Sequence, residues 1–124
     1  MRSVVRSRSS RLGTLSCAAM MASGVAGVLI PQQVSEALHL TPTDPRGVAE
    51  TRAGLGGTYA LLGAWALLSR QPLARRAVGV TWLGAAAARL ASLRLDEPEA
   101  DAAFWAYLAG ELVLGSTAFT TTRS

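Results

Sequence analysis

Residues Leu12–Ile30 read LGTLSCAAMMASGVAGVLI, 19 residues without a charge. Wound as an α-helix this run is about 28 Å long, close to the hydrocarbon thickness of a bilayer. Three further apolar stretches follow, at about Val48–Leu68, Ala77–Leu93 and Ala102–Phe119, each carrying one or two charges. With no strand-like alternation and no internal repeat, the chain is expected to be all-α, a transmembrane bundle of four helices. Composition agrees: 50% of residues are hydrophobic and 16% charged, against roughly 25% charged in soluble domains. The mean hydropathy of +0.29 is modest because polar termini dilute it and the apolar stretches use Ala and Gly more than Leu.

The breaks carry helix-boundary chemistry. Pro31 stops the first helix. Asp44-Pro45 reads as an N-cap followed by Pro at the first helical position, opening the second. Gln71-Pro72 marks a tight turn. Glu97-Pro98 is expected to open the fourth helix, with Glu99 and Asp101 in its first turn, where the helix dipole favours acids. Between Pro31 and Asp44, Val34, Ala37 and Leu38 fall at helical spacing, and Gln33, Glu36 and His39 lie elsewhere on the wheel. A short helix lying on the membrane surface fits this segment.

All twelve basic residues are Arg, and their distribution sets an orientation. With the N-terminus in the cytoplasm, the inside segments 1–11, 69–76 and 120–124 hold Arg2, Arg6, Arg8, Arg11, Arg70, Arg75, Arg76 and Arg123, eight Arg and no acid. The outside loops hold two Arg, Arg46 and Arg94, with six acids, Glu36, Asp44, Asp96, Glu97, Glu99 and Asp101. This bias places both termini in the cytoplasm, which requires an even number of spans. Trp65, Trp82, Phe104, Trp105 and Tyr107 lie at or near span ends, as interfacial anchors do. The Arg residues are not gathered on a soluble element, so nucleic acid is not an expected partner. The expected surroundings are the lipid of the cytoplasmic membrane, with a second copy or another membrane protein as a possible neighbour. A secretory signal followed by a soluble domain is the alternative, suggested by the Arg-rich start and the small residues near Ala26. It leaves the apolar segments after residue 47 unexplained.

Four charges fall inside the expected spans: Glu50, Arg52, Arg89 and Glu111. An ionisable side chain in lipid costs about 2.5–3.5 kcal/mol on insertion scales, so such groups face the bundle interior and pair. Counting residues puts Arg89 about 9 Å below the outer end of the third helix and Glu111 about 13 Å below that of the fourth, a difference an Arg side chain spans. Tyr107, one turn before Glu111, is placed to donate a hydrogen bond to it. Close helix approach is expected along Gly56, Ala60 and Ala64, with Gly57 beside them. Ala85, Ala88 and Ser92 flank Arg89, and Gly110, Gly115 and Ala118 flank Glu111. Two readings stay open: a buried structural pair fixing helix register, and an outward-facing polar pocket for a proton, an ion or a small polar molecule. Cys17 is the only cysteine and His39 the only histidine, so no disulfide, metal cluster or cofactor site is expected. No Ser/His/Asp set, Cys/His pair or phosphate-binding Gly loop with Lys is available, so an enzyme is not expected.

The chain resembles a bacterial family of small four-helix membrane proteins, domain of unknown function 4345. The residues carrying the resemblance are Glu50, Arg52 and Gly56-Gly57 in ETRAGLGGTYALLG, Gly84 and Arg89 in WLGAAAARLAS, and Glu111 in AYLAGELVLG. It covers about residues 20–119. Leu55 stands where members often carry Tyr, and Ala88 precedes Arg89 where a Gly is typical. The resemblance implies a helical bundle in the inner membrane and implies no activity. A structural or accessory role is the expectation, and an oligomeric transporter-like role the alternative.

Overall fold

The computed structural model describes residues 2–119, with side chains from residue 11. The Arg residues before Arg11, as side chains, and Arg123 with the tail 120–124 lie outside the described residues. Every regular element described is helical: α1 (Arg2–Leu29), α2 (Pro31–Ala37), α3 (Pro45–Thr51), a π-helical segment (Arg52–Gly57), α4 (Thr58–Ser69), α5 (Pro72–Leu95) and α6 (Ala102–Phe119). Two stretches are long and apolar enough to cross a membrane, Arg11–Leu29 and Ala102–Phe119. The chain divides into two compact units, one of Met1–Ser16 with Gln71–Ser124 and the other Cys17–Arg70, so α1 contributes to both.

In the Cys17–Arg70 unit, α1 ends where Ile30 leaves helical geometry and Pro31 restarts the chain as the first residue of α2. Pro31 therefore both stops one helix and opens another, since it lacks the N–H that continuation requires. Helix α2 closes with the N–H of Leu40 bonding the Ser35 carbonyl and that of His39 bonding the Glu36 carbonyl, at 2.7 and 3.1 Å. His39 supplies the left-handed residue of this Schellman-type cap, with φ 56°. Ser35 and Pro31 are buried, and the Ser35 hydroxyl donates to Thr51 across to α3.

Helix α3 opens as its sequence dictates: the Asp44 carboxylate accepts from the Gly47 N–H at 2.8 Å, and Pro45 occupies the first helical position. Asp44→Ala is expected to lower stability by about 1 kcal/mol, seen as a reduced midpoint in thermal unfolding of the purified protein. Residues 45–69 are helical without interruption, since the junction residues Thr51, Arg52, Gly57 and Thr58 all keep right-handed helical angles. The middle of this stretch is widened, and the Thr58 N–H reaches back five residues to the Ala53 carbonyl. The run Ala53-Gly54-Leu55-Gly56-Gly57 offers little side-chain resistance to that wider turn. Arg70, in the left-handed region at φ 55°, ends α4.

Helices α1 and α4 meet backbone to backbone. A Cβ placed on Gly24 would lie 2.0 Å from the Ala60 nitrogen, one on Gly27 2.7 Å from the Gly56 Cα, and one on Gly63 2.4 Å from the Met21 nitrogen. Real Cβ atoms do not approach backbone that closely, so glycine is what permits the contact.

In the other unit, α5 and α6 run antiparallel: Gly79 meets Ala118, Leu83 meets Gly115 and Arg89 meets Glu111. The first part of α1 is tied to them by Ser16, whose hydroxyl donates to the Leu114 carbonyl at 2.6 Å, and by Trp82, whose indole N–H reaches the Ser16 carbonyl at 3.4 Å. Helix α5 starts on Pro72, after an extended Gln71. Helix α6 does not open at Pro98. Glu97 takes a left-handed conformation, φ 46°, and the helix begins at Ala102, capped by the Asp101 carboxylate accepting from the Phe104 N–H at 2.9 Å. Asp101 is the cap because its short side chain reaches the third helical N–H.

Candidate functional site

Arg89 on α5 and Glu111 on α6 form a partly buried ion pair in the Met1–Ser16 with Gln71–Ser124 unit. Arg89 Nε donates to Glu111 Oε1 at 2.8 Å, with 28% of the Arg89 side chain exposed and 8% of the Glu111 side chain. The contact uses a single N–H, in contrast to the two-pronged pairing of which a guanidinium is capable. Glu111 Oε2 is buried and has no hydrogen-bond partner among the described residues. The guanidinium carbon of Arg89 also lies 5.4 Å from the centre of the Tyr107 ring and 5.9 Å from that of Phe104, within cation–π range. Phe104 in turn stands edge-on to Trp105. Tyr107 thus presents its ring to the arginine, a role that its spacing from Glu111 alone did not reveal.

Helical spacing explains the arrangement. Tyr107 and Glu111 are four residues apart on α6 and share a face with Leu108 and Gly115. Gly115 admits Leu83, whose side-chain carbons would lie 2.7 Å from a Cβ there. The two helices are therefore close one turn beyond the ion pair.

Glu50 and Arg52 belong to the other unit, and each has its own partner. Glu50 accepts from Arg46 one turn earlier, at 2.6 Å on an exposed surface. Arg52 donates to the Val28 carbonyl near the end of α1. They do not pair with each other, because residues two apart on a helix point to different sides.

The small residues separate in the same way. Gly56, Ala60 and Gly115 stand at close contacts, whereas a Cβ on Gly57 or Gly110 meets nothing within 4 Å. Gly57 and Gly110 are therefore not contact glycines. Gly63 on α4, one residue before Ala64, also stands at a backbone contact, with Met21. Gly24, Gly27 and Gly79, not singled out in the sequence, sit at backbone or tight side-chain contacts. The three-residue spacing of Gly24 and Gly27 within the first apolar run was the available clue. Among the described residues no three His, Cys, Asp or Glu come together as metal ligands.

Long helices, close glycine contacts and one enclosed arginine–carboxylate pair define a small all-α protein with two helices fit to cross a membrane. The family model described as domain of unknown function DUF4345 matches residues 11–121, and the chain belongs to that family. No curated protein and no solved structure matches it.

Proposed function

We propose that the protein is a multi-pass integral protein of the cytoplasmic (inner) membrane with a structural or accessory role, in which the Arg89–Glu111 pair locks α5 to α6. The observation that carries this reading is the inverted distribution of side chains. Large aliphatic residues point outward, with Leu61 73%, Leu68 84% and Leu95 80% exposed and Leu15, Val80 and Val113 more than half exposed. Apart from Met20, Val78 and Leu108, the interior holds small residues, Ser16, Cys17, Ala66, Ala74, Ala86 and Ala118 among them. In water such a surface forfeits the main stabilising contribution to folding, whereas in lipid it costs nothing. Small interior residues suit helices that associate by close packing in a bilayer.

Helix length supports a reading of four spans: besides the two stretches apolar enough to cross, residues 45–69 and α5 each reach about 36–38 Å, more than the ~30 Å hydrocarbon core. The Arg bias favours both termini in the cytoplasm. The unpartnered Glu111 Oε2 favours a second reading, in which the carboxylate accepts a proton or a cationic donor from a small polar ligand.

Extraction of isolated membranes with alkaline carbonate tests the main reading. The protein is expected to remain in the pellet, intact in mass, and to need detergent for release. Release into the supernatant, or a chain shortened near residue 26, would sink it in favour of a signal peptide with a soluble domain.

A further inference from the structure

A cavity of about 320 Å³ opens in the Cys17–Arg70 unit where α1 gives way to α2. Its lining is divided by chemistry: Leu29, Ile30 and Val48 are apolar, and Gln32, Gln33 and Arg52 are polar. Leu29 is also the last residue of the Arg11–Leu29 stretch fit to cross a membrane. On the membrane reading above, the cavity lies at the level of the lipid headgroups. Its volume falls within the range of small-ligand sites, roughly 300–1,000 Å³.

Arg52 is the cation of this cavity and has no acidic partner among the described residues. The nearest acid in sequence, Glu50, is bound to Arg46 at 2.6 Å. Arg52 gives one N–H to the Val28 carbonyl, which anchors the guanidinium beside the C-terminal end of α1. Its remaining donors keep the planar fork that matches two oxygens of a phosphate. The residue also begins the π-helical segment Arg52–Gly57, and such segments recur at functional sites.

We infer that this cavity binds a phosphate anion, with Arg52 on the phosphate oxygens, Gln32 and Gln33 on neighbouring polar atoms, and Leu29, Ile30 and Val48 against hydrocarbon. An anionic phospholipid headgroup supplies both chemistries, and a free phosphate supplies the first alone. This inference rests on the membrane reading, and the test separates the two.

The full chain, purified in detergent, is titrated with short-chain phosphatidylglycerol, with phosphatidylcholine of the same tails, and with inorganic phosphate, binding being followed by native mass spectrometry. Phosphatidylglycerol is expected to bind about tenfold more tightly than phosphatidylcholine, which carries the same phosphate but sets its own choline cation in competition with Arg52 for it. Arg52→Gln is expected to abolish that preference, and Arg46→Gln to leave it intact. Val48→Phe keeps the guanidinium but fills the cavity, and is expected to weaken binding of both lipids. It carries the test if Arg52→Gln fails to accumulate. Displacement of the lipid by millimolar inorganic phosphate upholds the anion site and assigns it to soluble phosphate. An undiminished preference in Arg52→Gln, or undiminished binding of both lipids by Val48→Phe, overturns the inference and leaves Arg52 as a cap on α1. A protein that stays monodisperse without detergent overturns the membrane reading instead.

Discussion

Gly24→Leu is expected to prevent the folded protein from accumulating. Even the first added carbon would lie 2.0 Å from the Ala60 nitrogen, 2.6 Å from its Cα and 2.6 Å from the Gly56 carbonyl oxygen. All three are backbone atoms, so no rotamer change relieves the overlap, and α1 and α4 must move apart. Overpacking against side chains costs about 1–3 kcal/mol, and against backbone the upper end or more. Separating the helices also breaks the contacts of Gly27 with Gly56 and of Gly63 with Met21. Gly24→Ala is expected to lower the unfolding midpoint in detergent, and Gly24→Leu to reduce the abundance of a fluorescent fusion to near background. Gly57→Ala and Gly110→Ala are the matched controls. Neither added carbon meets anything within 4 Å, and replacing a helical glycine by alanine gains about 0.5–1 kcal/mol. If Gly24→Ala is as stable as these controls, the backbone contact between α1 and α4 does not exist.

The second large effect concerns the ion pair. Arg89→Ala leaves the Glu111 carboxylate, 8% exposed, without its cation, and one of its oxygens has no partner already. Breaking a buried pair from one side costs about 3–5 kcal/mol, because a charge is left uncompensated. Glu111→Gln strands the guanidinium with a smaller penalty, since Arg89 is 28% exposed and keeps its contacts with the Tyr107 and Phe104 rings. Combining Arg89→Ala with Glu111→Gln removes both charges and is expected to restore most of the lost abundance. That non-additivity, read in a double-mutant cycle of thermal midpoints, is the signature of a direct pair. Simple addition of the two losses would show that each residue acts alone. Normal abundance of both single variants, with loss of a proton or ligand response, would shift the role of Glu111 from structure to binding.

Much of this architecture is legible from residue order. Helix α6 begins at Ala102, where the apolar run begins, and Asp44-Pro45 caps α3 through the expected side-chain contact. Capping and hydropathy are local properties, so short stretches of sequence contain them. The start of α6 was harder because Glu97-Pro98 and Asp101 compete as openings, and the better side-chain geometry at Asp101 decides. Gly63, beside Ala64 of the expected row, stands at a backbone contact for a geometric reason. A repeat of four drifts about 40° per step around a helix of 3.6 residues per turn, so Ala64 has turned about 80° from Gly56. Seven residues return to within about 20°, which selects Gly63. At the candidate site, residue spacing indicated an arginine and a carboxylate at compatible depth on neighbouring helices. It did not reveal that Tyr107 would offer its ring, or that Glu50 would turn to Arg46, because both depend on rotamers and on competing neighbours.

The widened turn at Arg52–Gly57 has an evolutionary corollary. Such a turn accommodates one residue more than the α-helical turn it replaces, so this stretch can absorb a single-residue insertion while the chain stays helical on both sides. The segment upstream, from Pro45, and the segment downstream, from Thr58, consequently follow two separate angular frames. Substitutions that re-orient the capped start need not disturb the glycine seam on α4. One helical wheel drawn through residues 45–69 would assign inner and outer faces wrongly at one end or the other.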